Sequence, residues 1–245
     1  MRFPNNTEHV SIIGQNGSGK TQFAAFLLSR SNFSDVDYDG VKLPQDERYF
    51  TDSRGRLQRR NQPWIIIDYK LDPLLNHRRL KKRIQTLSLT SSIPTDPGLY
   101  IVHPGPNDAE ALEDFLWRVW QQGKVGLWFD EAHMLPVQEK GAFQGILTQG
   151  RTKKIPCIVL TQKPSWVSRF VFSEAKFFCV FRLNDARDHK VVQNFVPVDM
   201  SKPLPRYHSY WYDSAEDEIS VLQPAPNSET ILSTFEHRMP RRWLR

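Results

Sequence analysis

The sequence predicts an α/β protein with a mainly parallel central sheet flanked by helices, and three observations carry that expectation. Short apolar blocks recur along the chain between amphipathic segments, the alternation of a parallel sheet with crossover helices. The blocks are continuously apolar, as strands covered on both faces must be. The first of them runs straight into a glycine-rich segment, GQNGSGKT (residues 14–21), with helix-forming residues immediately after it.

The predicted strands are His9–Gly14, Trp64–Tyr69, Leu99–His103, Val125–Asp130, Cys157–Gln162 and Phe177–Phe181. The clearest helix is Asp108–Gln121: Leu112, Phe115, Leu116, Val119 and Trp120 share one face, and Asn107 or Asp108 can cap its start. Helices over Lys20–Arg30, about 138–150 and Ala186–Phe195 also fit. Residues 31–62 break the rhythm: Asp35, Asp37 and Asp39 precede RGRLQRR (54–60), with no sustained period. Such a length without regular pattern reads as a functional loop or a small β excursion. Past Val196, prolines at 197, 203 and 205 mark a connection, and His208–Tyr212 with Glu218–Leu222 reads as a hairpin. The expected organisation is therefore a core over residues 1–196 with a polar insertion at about 31–62. A C-terminal extension, 197–245, would pack its hairpin on that core.

Composition sets bounds. The 245 residues, 39% hydrophobic and 24% charged, suit one large domain with a modest appendage. A net charge of +6 and a pI near 9.3 lean towards a polyanionic partner without identifying it. Cys157 and Cys179 both lie inside apolar runs and read as buried hydrophobes, with no disulfide framework or zinc spacing. The segment MRFPNNTEHVSIIG has no apolar core of a signal peptide, and no run of about 18 apolar residues occurs. An intracellular, reducing setting is expected.

GQNGSGKT matches G-x-x-x-x-G-K-[ST] at every fixed position, between a strand and a helix. Gly14, Gly17 and Gly19 let the backbone turn its N–H groups inward, with Gln15, Asn16 and Ser18 completing the cradle. Lys20 would reach the outer phosphates of ATP, and the Thr21 hydroxyl would ligate Mg²⁺. Further on, VGLWFDE (125–131) is an apolar strand ending in two carboxylates. Asp130 can hold the Mg²⁺ shell and Glu131 can accept a proton from an attacking water. The other reading of the pair, an acidic turn capping the next helix, loses to this one once the phosphate loop is present. The tetrad DEAH (130–133) resembles one helicase class whose other motifs are absent, so His133 is read as a residue at a helix start.

Phosphate loop, carboxylate pair and a strand ending in glutamine follow one another in that order, which resembles the RecA-like, additional-strand catalytic-glutamate branch of P-loop NTPases. More narrowly, GRTKKIPCIVLTQKP (150–164) is similar to the FtsK–HerA translocases, in which an arginine-bearing helix leads into a strand ending in Thr-Gln-x-Pro. WIIIDYKLD (64–72) resembles the second-strand segment of the same family. The compact length points to the genome-packaging ATPases of membrane-containing icosahedral viruses and phages, over residues 8 to 195 or so. The resemblance implies ATP-driven translocation of double-stranded DNA into a procapsid by a hexameric ring, in the host cytoplasm or at the packaging vertex of the virion. It makes Gln162 the sensor of the terminal phosphate or attacking water and Arg151 a finger inserted into a neighbouring subunit, with Arg182 and Arg187 as rivals. The membrane segments and DNA-reading domain of septal DNA pumps have no counterpart here, which favours packaging over segregation.

Two basic runs, RRLKKR (78–83) and RGRLQRR (54–60), suit a DNA channel gripping phosphates without sequence readout, or else are solvated faces. The C-terminal RMPRRWLR suits docking on a capsid or vertex protein. Two other functions stay open. One is a membrane-associated ATPase of filamentous-phage assembly or DNA secretion, with its anchor supplied by a partner. The other is a nucleotide-regulated assembly protein with weak hydrolysis. A GTPase switch lacks the N-K-x-D guanine reader, and a small-molecule kinase lacks a recognisable lid.

Overall fold

The computed structural model describes residues 3–4, 7–31, 49–51, 57–59, 62–81, 83–135, 140–202 and 204–238. The first half of the chain forms β1 (Val10–Ile13), α1 (Lys20–Ser31), β2 (Tyr49–Thr51), β3 (Leu57–Arg59), β4 (Pro63–Asp68), α2 (Arg78–Lys81), β5 (Ile84–Thr86) and β6 (Gly98–Val102). There follow α3 (Ala109–Gln122), β7 (Gly126–Asp130), α4 (Ala142–Lys153), β8 (Cys157–Thr161), α5 (Phe170–Ser173) and β9 (Phe177–Val180). The C-terminal part holds α6 (Ala186–Gln193), β10 (Ser209–Asp213), β11 (Glu218–Leu222) and α7 (Ser228–Arg238).

Nine strands make one sheet in the order β11-β10-β9-β1-β8-β7-β4-β6-β5. From β9 to β5 every neighbouring pair is parallel. The strand carrying the glycine-rich loop is therefore separated from the strand carrying Asp130 by β8 alone. That inserted strand brings Thr161 beside Ile13, so the ends of three strands converge at one edge.

Both faces of the sheet are apolar over β1, β4, β6, β7, β8 and β9, where side chains alternate along each strand while every position is buried. In β4, Ile65 and Ile67 pack with Phe115, Phe129 and Ile146 under α3 and α4. Trp64 and Ile66 point the other way, into a second core with Phe23 and Leu27 of α1 and Phe235 of α7. A continuous Trp-Ile-Ile-Ile run is thus the local requirement for a strand buried on both sides. His9, just before β1, is 5% exposed and ties three elements together. Its Nε2 meets the carbonyl of Leu147 in α4 at 3.0 Å, while the Cys157 N–H of β8 donates to Nδ1 at 3.0 Å. These partners require a neutral ring protonated on Nε2.

The six predicted core strands and the C-terminal hairpin appear within one residue at either end. Strand β10 adds antiparallel to β9 and β11 to β10, so the hairpin extends the same sheet. Trp211 of β10 stacks on Phe177 with ring centroids 5.3 Å apart. Within the polar insertion, β2 and β3 pair antiparallel, the β excursion rather than an unbroken loop. Residues 32–48, 52–56 and 60–61 of that insertion, Arg54 and Arg56 among them, lie outside the described residues, as does the C-terminal run from Met239 onwards. The helix expected at 138–150 is displaced to Ala142–Lys153, and 136–139 are likewise outside the described residues.

Besides the single-turn helices α2 and α5, two elements are additions to the sequence reading. Strand β5 has three residues, of which only Ile84 is buried, so it carries no apolar run to recognise. Helix α7 is capped by Asn227, whose Oδ1 accepts the Thr230 N–H at 2.9 Å, and it buries Ile231, Leu232 and Phe235. That cap followed by apolar residues at helical spacing was a usable signal. Helix α7 also receives Arg79 of the basic run 78–83, which pairs with both Glu229 and Glu236.

Candidate active site

The loop after β1 is held by its neighbours. The Gly14 N–H donates to the Thr161 carbonyl at the end of β8 (3.2 Å), and the Gln15 N–H to the Arg182 carbonyl just past β9 (3.0 Å). A side chain at residue 14 would place its Cβ 2.6 Å from Phe181 Cβ and 2.7 Å from Ser18 Oγ, so only glycine fits this approach. Gly17 and Gly19 have φ of 71° and 101°, the left-handed region that favours glycine. The loop then enters α1 at Lys20, leaving the first N–H groups of that helix at the cleft.

Lys20 is 5% exposed, and its ammonium donates to the carbonyls of Gly14 (2.8 Å) and Gln15 (2.9 Å). Burial first, then the nearby Lys70 ammonium, lowers its pKa to about 8, against the opposing pull of Asp130. Thr21 Oγ1 donates to Asp130 Oδ1 at 3.2 Å. Asp130 stands in register beside Asp68 of β4 and is 1% exposed. Burial raises its pKa, an effect that Lys70 counters and that Asp72 and Asp68 reinforce.

Glu131 is a left-handed residue, φ 67° and ψ 61°, and is 2% exposed. A non-glycine residue in that region stores strain of the kind that clusters at functional sites. Its Oε1 is paired with Lys70 Nζ, and its Oε2 lies 3.1 Å from His133 Nδ1. Lys70 Nζ also lies 3.7 Å from Asp130 Oδ2. These approaches lack hydrogen-bond geometry, so Asp130 Oδ2 and both Glu131 oxygens have no hydrogen-bond donor among the described residues. His133 sits in a single 3₁₀ turn, Ala132–Met134, and burial followed by Lys70, Lys20 and Lys163 lowers its pKa. Its place is therefore against the Glu131 carboxylate, closer to the chemistry than a helix start implied.

The donor set fits Mg²⁺. Asp130 Oδ2 is a buried oxygen without a hydrogen-bond donor among the described residues, next to the hydroxyl of Thr21, and both are hard ligands. Among the described residues no cluster of three or more His, Cys, Asp or Glu could hold a metal by itself. Mg²⁺ suits such a site because it takes one or two protein ligands and completes its shell with water and phosphate.

Gln162 follows β8 at the same edge and is half-buried. Arg151 stands apart from all of this. It is exposed in the last turn of α4, at the amino end of β8, where the Lys124 N–H donates to the Lys153 carbonyl. The length of β8, roughly 15 Å, separates it from Gln162. Arg182 and Arg187 are exposed on the carboxyl side, Arg187 lying 3.6 Å from Asp185.

The loop opens into a cleft of about 510 Å³, lined also by Lys70, Asp72, Phe181, Tyr207 and Ala225. The hairpin region of the chain therefore forms one wall of the site, a contribution no sequence motif announced. Lys70 belongs to the quoted Asp-x-Lys segment, whose resemblance carried no role for it, and only the packing brings it to Glu131.

A glycine-rich loop at a helix start, a strand-end Asp-Glu pair and one strand inserted between them define a RecA-like P-loop NTPase of the additional-strand class. No family model matches the chain. It is 34% identical over 254 residues to the DNA packaging ATPase P9 of Enterobacteria phage PRD1, covering 96% of this chain and 95% of that protein. The genome packaging NTPase B204 of Sulfolobus turreted icosahedral virus 2, in complex with sulfate, matches with a TM-score of 0.63 at 17% identity, over 91% of this chain and 100% of that one. ATPases 2 and 3 of EssC from Geobacillus thermodenitrificans match at 0.56 and 11% identity, over 94% of this chain and 43% of that one. The chain belongs to the family of the phage DNA packaging ATPase P9.

Proposed function

We propose that this chain is the ATPase of a viral genome-packaging motor, hydrolysing ATP to drive double-stranded DNA into a preformed capsid. The observation that carries the reading is the meeting of Thr21, Asp130 and Glu131 at the mouth of the glycine-rich loop, in a chain of the packaging-ATPase family.

The loop N–H groups of Asn16, Gly17 and Gly19 and the start of α1 hold the phosphates, and Lys20 neutralises the outermost of them. Thr21 and Asp130 hold Mg²⁺, which when bound supplies further charge neutralisation on the phosphates. Glu131 takes a proton from water as the water oxygen bonds to the terminal phosphorus. The bond from phosphorus to the bridging oxygen breaks at the same time, and its electron pair leaves with ADP. Gln162 orients that water from the neighbouring strand.

Arg151 is too remote to serve its own site and is exposed for a neighbour, so it acts as a finger in trans within a hexameric ring. Arg182, whose carbonyl holds the loop of its own subunit, and Arg187 are the rivals. Exposed Met134 and Trp166, flanking His133, give the same edge an apolar contact surface for the adjacent subunit. The remaining partners are DNA, gripped by its phosphates, and the capsid or packaging vertex, with action in the host cytoplasm during assembly. No helix among the described residues is long and apolar enough to cross a membrane.

Steady-state hydrolysis with duplex and single-stranded DNA tests the reading, together with Glu131→Gln. Duplex-stimulated turnover that the variant abolishes while still binding ATP is expected. Turnover indifferent to DNA, or undiminished in the variant, would overturn it.

A further inference from the structure

Lys70 faces two ways. Its ammonium contacts Glu131 and approaches Asp130, yet its side chain is 35% exposed and lines the nucleotide cleft alongside Lys20. Its backbone, by contrast, is fixed. The Asp68 carboxylate, fully buried at the end of β4, accepts the N–H groups of Lys70 (3.1 Å) and Asp72 (3.1 Å) and the Asn76 amide (2.9 Å). A rigid turn therefore carries a flexible four-carbon stem, and the charge can move by a few ångströms while the chain stays in place.

Among the described residues the Glu131 carboxylate has two polar neighbours of this kind, Lys70 and His133, and burial lowers the pKa of His133, which favours its neutral form. Lys70 thus supplies the positive charge that keeps a buried carboxylate in place. A general base engaged with an ammonium is not free to take a proton from water. Because the ammonium and the carboxylate touch, a phosphoryl group placed where Glu131 can serve it is also within reach of Lys70.

We propose that Lys70 is a positioning residue that the terminal phosphate of ATP draws away from Glu131, so that nucleotide loading itself frees the base. The inference rests on the ATPase reading above and deepens it. ADP lacks the group that competes for Lys70 and leaves the pair closed. The device keeps Glu131 paired except when a terminal phosphate is present, and makes the two anions rivals for one cation.

Rivalry has a thermodynamic signature that a merely structural lysine would not give. The affinities of AMPPNP and ADP, each with Mg²⁺, are to be measured by calorimetry for the wild type, Lys70→Ala, Glu131→Gln and the double variant. Lys70→Ala is expected to weaken AMPPNP about tenfold, the loss of one charge-assisted contact, and to leave ADP within about twofold. Glu131→Gln is expected to tighten AMPPNP only while Lys70 is present, and Lys70→Arg to recover part of the lost affinity. Retained ADP binding certifies that each variant is folded. An unchanged ratio of AMPPNP to ADP affinity in Lys70→Ala, or equal tightening by Glu131→Gln with and without Lys70, overturns the inference and leaves the ATPase reading standing. Failure of the wild type to bind either nucleotide would overturn both.

Discussion

Thr21 and Asp130 are 109 residues apart in the chain and are joined by a hydrogen bond of 3.2 Å between hydroxyl and carboxylate. The bond links the start of α1 to the end of β7 across the inserted strand, and its carboxylate is among the most deeply buried charges in the molecule. Burying such a charge costs stability.

Asp130→Asn removes that buried charge with little change in shape. Hydrolysis is expected to fall at least a hundredfold, since the proposed Mg²⁺ site would lose its anionic ligand. In the metal-free protein the melting temperature is expected to rise by a few degrees, corresponding to about 1 kcal/mol. Calorimetry with and without Mg²⁺ beside turnover assays checks both; a destabilised metal-free variant would mean that Asp130 serves packing.

Arg151 can be tested by mixing. Arg151→Ala subunits keep an intact loop, and Lys20→Ala subunits keep an intact arginine, so each alone is expected to be inactive. Combined in one ring, the second donates its arginine to the first and a fraction of the activity returns. A fully active Arg151→Ala protein would return the role to Arg182 or Arg187.

The basic run 78–83 is not uniform. Arg79 is committed to Glu229 and Glu236, whereas Arg78 and Lys81 are exposed. If this face grips DNA, Arg78→Ala and Lys81→Ala should each weaken duplex binding and reduce the slope of log affinity against log salt by about 1. Arg79→Ala should leave that slope unchanged and instead loosen α7, measurable as faster amide exchange along the helix. Equal slopes for all variants would place the DNA elsewhere.

His9 sets a pH dependence of stability. Burial, opposed in part by the bond to Leu147, lowers its pKa from 6.5 to about 4. Between those values the unfolded chain takes up a proton that the folded ring refuses, so stability falls as the pH drops from 6.5 towards 4. Above 6.5 the contribution is complete, and the interval is worth roughly 3 kcal/mol. Chemical denaturation across that range is expected to show the slope, and His9→Gln, less stable at neutral pH, is expected to lose it.

Much of the site was legible because it is written in contiguous residues. GQNGSGKT carries its own turn geometry, and VGLWFDE carries its own strand and strand end, so each could be read without its neighbours. The core strands were legible for a related reason: burial on both faces leaves no polar position to interrupt the run, as in Trp64–Ile67. Strand β5 was missed because so short and weakly apolar a segment becomes ordered only through what it packs against, whereas helix α7 did carry a readable cap, Asn227, ahead of its apolar face.

The chain order thus determined by itself the class of fold, the phosphate loop, the carboxylate pair and the hairpin. Tertiary structure alone decided which residues surround Glu131. Lys70 and His133 reach it from different elements, one from a turn knotted on Asp68 and one from the 3₁₀ turn after β7. It likewise decided that Tyr207 walls the cleft and that Arg151 faces away from it. Local propensity acts over a few residues, whereas the environment of a charge is set by parallel strands that the sequence separates by dozens of positions and the sheet brings side by side.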